Sequence, residues 1–156
     1  MGRGFEELDA GSNFDLLVLH ITGVDAAGHS TGSFSSVLER KIQDNERVIE
    51  QIIEKMDDET TLVIGGDHGM TPDGNHGGST FLEMKTAFFA YQKKPFPMGK
   101  KYRAMLQHFA EMDSNMNQVD ATSIMSMLTN TPFPFSNAGI GHPFFGKTDN
   151  LEDTMK

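Results

Sequence analysis

Two short polar stretches of this chain hold side chains of the types that bind metal ions. Residues 65–78 read GGDHGMTPDGNHGG and bring Asp67, His68 and His76 close together in sequence; residues 20–29 read HITGVDAAGH and add Asp25 and His29 four positions apart. Carboxylate oxygens and imidazole nitrogens are good ligands for Zn²⁺ or Mn²⁺, and a hydrolytic or transfer site wants such a mixture with positions left open for substrate. Two cations a few ångströms apart clamp the attacking and leaving oxygens of a phosphoryl transfer. Taken singly the signals are weak: an Asp-x-x-x-His pair arises often by chance, and His76 alone could be an ordinary loop histidine. Taken together they read as a metal site, provided the fold brings the two stretches to one place.

Placing them together needs particular elements. Phe14–His20 is a short, nearly continuous apolar run, as expected of a strand covered on both faces. From Val37 to Met56, residues Leu38, Ile42, Ile49, Ile52, Ile53 and Met56 recur at helical steps with charge between them, and Ser36 with Glu39 has capping-box spacing. Thr60–Gly65 reads as a second buried strand ended by glycine. Strand, helix, strand predicts a parallel crossover, hence an α/β fold with a mostly parallel sheet and flanking helices. In such sheets ligands bind beyond the carboxyl ends of the strands, where Asp25, His29, Asp67, His68 and His76 would all fall.

Further along, Thr86–Tyr91 is expected to be a third strand and Tyr102–Met112 a second helix. Asp120 is placed to cap a third helix, Ala121–Leu128, stopped by Pro132-Phe133-Pro134-Phe135. No repeat or linker divides the chain, so residues 1–146 read as part of one domain and 147–156 as a polar tail.

Composition narrows the function. With 156 residues and 37% hydrophobic content the chain can bury a core, and its net charge of −9 offers no clustered Lys/Arg surface for nucleic acid or anionic membrane. There is no cysteine, which excludes disulfides and thiolate metal sites. The opening MGRGFEELDA has no apolar core of a signal peptide, and no run approaches the about 18 apolar residues of a membrane span.

The other histidines are less telling. His20 ends an apolar run, and is either a hydrogen-bonded core residue or a substrate contact. His108 lies among Leu106, Phe109 and Met112, and His142 has no sequence-visible partner. The eleven methionines are simplest as core filler.

The order LLVLHITGVDAAGHSTG, long helix, TLVIGGDHGMTPDGNHGG resembles the alkaline phosphatase superfamily, and within it the glycosylphosphatidylinositol (GPI) ethanolamine phosphate transferases, class O branch. The later TPFPFSNAGIG, Thr131–Gly141, is similar to the segment that closes their catalytic domain. The resemblance spans residues 14–92, and more weakly 118–141. It implies an alkaline-phosphatase-like fold, incomplete here, and two divalent metal ions, zinc by preference. Asp25, His29 and His76 are assigned to one ion, and Asp67 and His68 to the other.

The family also carries an earlier Asp and a Thr nucleophile near the start of the domain. Neither has a match, so the expectation is the later half of a catalytic domain, without a catalytic nucleophile of its own and without the family's multi-span membrane region. The implied activity of the intact family is two-step transfer: Thr takes phosphoethanolamine from phosphatidylethanolamine and passes it to a mannose hydroxyl of the GPI precursor. The implied setting is the lumenal face of the endoplasmic reticulum membrane, with the missing half-domain, the membrane region and a small membrane-protein subunit as partners, and no nucleic acid. Two alternatives remain open at this stage: another phosphodiesterase or nucleotide pyrophosphatase of the superfamily, and a metal-binding fragment without catalysis.

Overall fold

The computed structural model describes residues 14–94, 115–142 and 145. The chain divides into two units, Met1–Lys93 and Lys94–Lys156. In the first, helix α1 spans Gly23–Thr31, helix α2 Ser36–Lys55, strand β1 Leu62–Gly65, the short helix α3 Phe81–Met84 and strand β2 Phe88–Tyr91. The second contains helix α4, Asp120–Thr129.

The helical stripe predicted from Val37 onward is α2, and it turns buried Leu38 against α1, whose Ala27 and Gly28 are buried. Its N-cap is Ser35 and not Ser36. Ser35 has extended backbone angles that aim its hydroxyl back at the Leu38 amide (3.1 Å), whereas Ser36 already lies in the helix. At the other end Lys93 donates to the carbonyls of Glu54 and Met56, satisfying groups that the last turn leaves unpaired.

The sheet differs from expectation. β1 and β2, which confirm the strands sought at Thr60–Gly65 and Thr86–Tyr91, pair antiparallel, with Leu62 opposite Tyr91 and Gly65 opposite Phe88. Residues Phe14–His20 form no strand: no segment among the described residues supplies hydrogen bonds to them, and Leu16, Val18 and Leu19 are exposed, Val18 at 76%. An apolar run becomes a strand only where a neighbour accepts its ladder. The parallel crossover expected from residues 14 to 65 is therefore absent among the described residues.

In the second unit, Asp120 is the first residue of α4 and not its cap. Its buried carboxylate instead accepts from the amides of Asn117 (2.8 Å) and Ile140 (2.9 Å), pinning the segment after the helix to its start. Asn137 adds a bond to the fully buried Ser123 hydroxyl (2.8 Å), beside the fully buried Ile124. The helix stops before Pro132, at Asn130, which takes the left-handed conformation (φ 55°) common at helix ends. The helix expected at Tyr102–Met112 and the tail 147–156 lie outside the described residues, as does His108.

Candidate metal centre

The site is built from one helix and one loop. Asp25 and His29 are four residues apart in α1 and so project from the same face. β1 ends at Gly65, and Asp67 and His68 follow directly on the loop beyond it. What carries the chain from there to His76 is a closed turn. The Thr71 amide donates to the Asn75 carbonyl (2.9 Å), the Asn75 amide returns to the Thr71 hydroxyl (3.0 Å), and the Gly74 amide bonds the Thr71 carbonyl (3.0 Å).

That turn lies on α1. Gly74 has φ +87°, and a Cβ there would sit 2.1 Å from the Gly28 carbonyl oxygen. Met70 occupies the space above Gly28, whose own added Cβ would meet the Met70 sulfur at 2.2 Å. The Ser33 amide donates to the Pro72 carbonyl (3.2 Å). Contact this close fixes the loop against the helix, and His76 emerges opposite Asp25 and His29.

The resulting geometry brings three of the five expected ligands together. Asp25 Oδ1 lies 3.4 Å from His29 Nε2 and 3.3 Å from His76 Nε2, and one donor atom from each residue falls within 4.8 Å of the others. Asp25 Oδ1 is buried yet accepts no hydrogen bond. A desolvated carboxylate oxygen without a donor is costly, and two imidazole nitrogens lie within 3.4 Å of it. Such a donor set fits a divalent cation.

Asp67 and His68 form the adjoining pair. His68 Nε2 lies 3.6 Å from Asp67 Oδ2, and Asp67 Oδ1 accepts from the His68 amide (3.1 Å). The His68 Nδ1 lies 2.9 Å from the Gly69 carbonyl. A carbonyl only accepts, so Nδ1 carries the proton and Nε2 presents its lone pair, the tautomer a metal ligand needs. The His68 and His76 rings stack with centroids 3.8 Å apart, and His29 is 4.8 Å from His76, so the three imidazoles form a continuous row.

His20 is exposed, which removes the core reading for it. His142 belongs to the second unit, where burial pushes its imidazole below 6.5 against the opposing charge of Asp120; its ring meets Phe145 edge-on at 6.3 Å.

One residue escaped the sequence reading. Buried Glu83, in α3, accepts from the Thr80 hydroxyl (2.5 Å), the Thr80 amide (3.2 Å) and the Gly78 amide (2.8 Å). The Thr80 hydroxyl first, then the Gly78 amide, hold its carboxyl below 4.5. Its signal was present as Thr80-x-x-Glu83, the spacing of a capping box just after His76-Gly77-Gly78.

The profile of the type I phosphodiesterase / nucleotide pyrophosphatase family matches residues 2–129. The chain is 36% identical over 137 residues to the GPI ethanolamine phosphate transferase 3 of Schizosaccharomyces pombe, a match covering 86% of this chain and 14% of that protein. It is 34% identical over 149 residues to the catalytic subunit of mouse GPI ethanolamine phosphate transferase 3, covering 94% and 13%. It is also 34% identical over 146 residues to GPI ethanolamine phosphate transferase 2 of Kluyveromyces lactis, covering 86% and 18%. The chain thus spans less than a fifth of the length of these relatives. No solved structure gives a significant match.

Proposed function

This chain belongs to the type I phosphodiesterase / nucleotide pyrophosphatase family, within the alkaline phosphatase superfamily, and on that footing we propose that it forms the metal-holding wall of a phosphoethanolamine-transfer site. The observation that carries the proposal is Asp25 Oδ1, buried without a hydrogen bond between two imidazole nitrogens at 3.3 and 3.4 Å. Asp25, His29 and His76 would hold one zinc ion. Asp67 and His68 would hold a second. Bound divalent cations supply Lewis acidity to phosphoryl oxygens and lower the pKa of a hydroxyl nucleophile.

The chain's own residues do the positioning. α1 keeps Asp25 and His29 on one face, and the 71–75 turn, seated on Gly28, delivers His76 to them. The Gly69 carbonyl fixes the His68 tautomer, so that in the neutral imidazole Nε2 carries the lone pair a ligand needs. The substrates proposed are those the family resemblance implies, phosphatidylethanolamine as donor and a GPI-precursor mannose as acceptor, with the nucleophile outside residues 14–94. His20, exposed on the segment leading to α1, is available to contact substrate. Residues 1–146 belong, in this reading, to one alkaline-phosphatase-like catalytic domain with 147–156 as its polar tail, at the lumenal face of the endoplasmic reticulum membrane. Among the described residues no helix is long and apolar enough to cross a membrane.

The test is zinc titration by calorimetry. His29→Ala and His76→Ala are expected to weaken the same binding event by at least about tenfold, whereas His142→Ala, which removes none of these donors, leaves it intact. Absence of zinc binding, or an equal effect of all three substitutions, removes the proposal.

A further inference from the structure

We infer that Glu83 is a positioning residue for this centre, an anchor shared by its two arms. The arms are the loop after β1, ending in His68, and the loop after the 71–75 turn, ending in His76. Both are tied to Glu83, by different atoms. Its backbone carbonyl accepts from the Gly69 amide at 2.7 Å, one residue beyond His68. Its carboxylate accepts from the Gly78 amide at 2.8 Å, two residues beyond His76.

The residue between His76 and that second tie explains why it matters. Gly77 has φ +97° and an added Cβ there would meet nothing within 4 Å, so its Cβ side faces open space. The first held atom downstream of His76 is the Gly78 amide on Glu83 Oε1. Gly78 is close-fitting in turn, since a Cβ would fall 2.7 Å from both carboxylate oxygens. On the other arm a Cβ at Gly69 would fall 2.0 Å from the Leu82 carbonyl and 2.5 Å from that of Lys85, so α3 also seats this arm by backbone contact. Glu83 therefore joins the two arms whose rings, His68 and His76, stack at 3.8 Å.

Thr80 completes the anchor. Its hydroxyl and amide both reach Glu83 Oε2, leaving Oε1 for Gly78. A glutamine at 83 offers one acceptor oxygen in place of two, so it cannot satisfy both sides, and the neutral amide makes weaker bonds than a carboxylate. Groups that orient ligands from behind typically change metal affinity by about tenfold to a hundredfold when altered.

The experiment uses the full 156-residue chain. In the metal-free protein, Glu83→Gln is expected to move the Gly78 amide proton upfield and to shift the His76 ring resonances, while the Asn137→Ala control, in the second unit, moves neither. In zinc titrations Glu83→Gln is expected to lose about tenfold or more in affinity. Thr80→Val should also lose affinity and Thr80→Ser should restore it, a rescue that follows the hydroxyl donor and not the bulk of the side chain. Unchanged Gly78 and His76 signals in Glu83→Gln overturn the inference, as does an affinity loss no greater than that of Asn137→Ala. Should Glu83→Gln fail to fold, the Thr80 pair decides: equal affinities for Val and Ser overturn it. The affinity arm rests on the metal reading above, but the metal-free spectra do not, so a chain that binds no zinc sinks that reading while leaving Glu83 to be judged on its resonances.

Discussion

Replacing Gly74 with alanine isolates the contact that turns two separate sequence stretches into one site. Gly74 has φ +87°, and its added Cβ would lie 2.1 Å from the Gly28 carbonyl oxygen and 2.9 Å from the carbonyl carbon. Both are backbone atoms of α1, so no side chain can swing aside. The left-handed conformation alone costs an alanine about 1–2 kcal/mol. Forcing the loop off the helix adds about 1–3 kcal/mol, as for other overpacked contacts. Loss of unfolded-chain freedom returns about 0.4–1 kcal/mol. Gly77→Ala is the natural comparison, because Gly77 has φ +97° but open space around its Cβ position. It should carry the conformational cost without the clash.

Urea unfolding followed by far-ultraviolet circular dichroism reads the difference. With a slope of about 1–3 kcal/mol per molar urea, Gly74→Ala should unfold roughly 1 M earlier than Gly77→Ala. Gly74→Ala should also weaken zinc binding, since His76 follows Gly74 by two residues and moves with it. Equal midpoints for the two variants would mean that the loop does not rest on Gly28. The account of how His76 reaches Asp25 would then be wrong.

Two further outcomes follow from side chains whose roles the structure reassigns or reveals. Ser35→Ala should cost about 0.5–2 kcal/mol by removing the cap of α2, whereas the exposed, non-capping Ser36 should tolerate alanine within about 0.5 kcal/mol; thermal melts reversing this order would return the cap to Ser36. The Glu83 carboxyl is held below 4.5 by the Thr80 hydroxyl and the Gly78 amide, so its bonds stabilise the fold above that pH and are lost as pH falls through the lower folded value. Urea midpoints of the parent and of Glu83→Gln should therefore differ near neutrality and converge in acid, and a gap constant with pH would show that the charge is not what matters.

The sequence by itself determined the chemistry and the local elements. Asp and His at 25, 29, 67, 68 and 76 are the donor types a divalent cation takes, because donor type is a property of the side chain. The helical period from Leu38 to Met56 and the apolar runs at Thr60–Gly65 and Thr86–Tyr91 gave α2, β1 and β2, since burial pattern is written in residue order. Pairing was not so written. Nothing in Phe14–His20 says whether a neighbouring strand is there to bond it, and nothing in β1 says that its partner is the later β2 running antiparallel.

The site has the same division. That Asp25 and His29 share a helix face follows from spacing of four, but their meeting with His76 depends on a turn packed onto Gly28 through atoms 46 positions apart in sequence, Gly28 and Gly74. That Glu83 holds both the Gly69 and Gly78 ends of the loop was invisible, because one of its two ties is a backbone carbonyl, identical in every residue. Side-chain chemistry is local and can be read in order. Distances between donors depend on backbone contacts distant in sequence, which only the tertiary structure supplies.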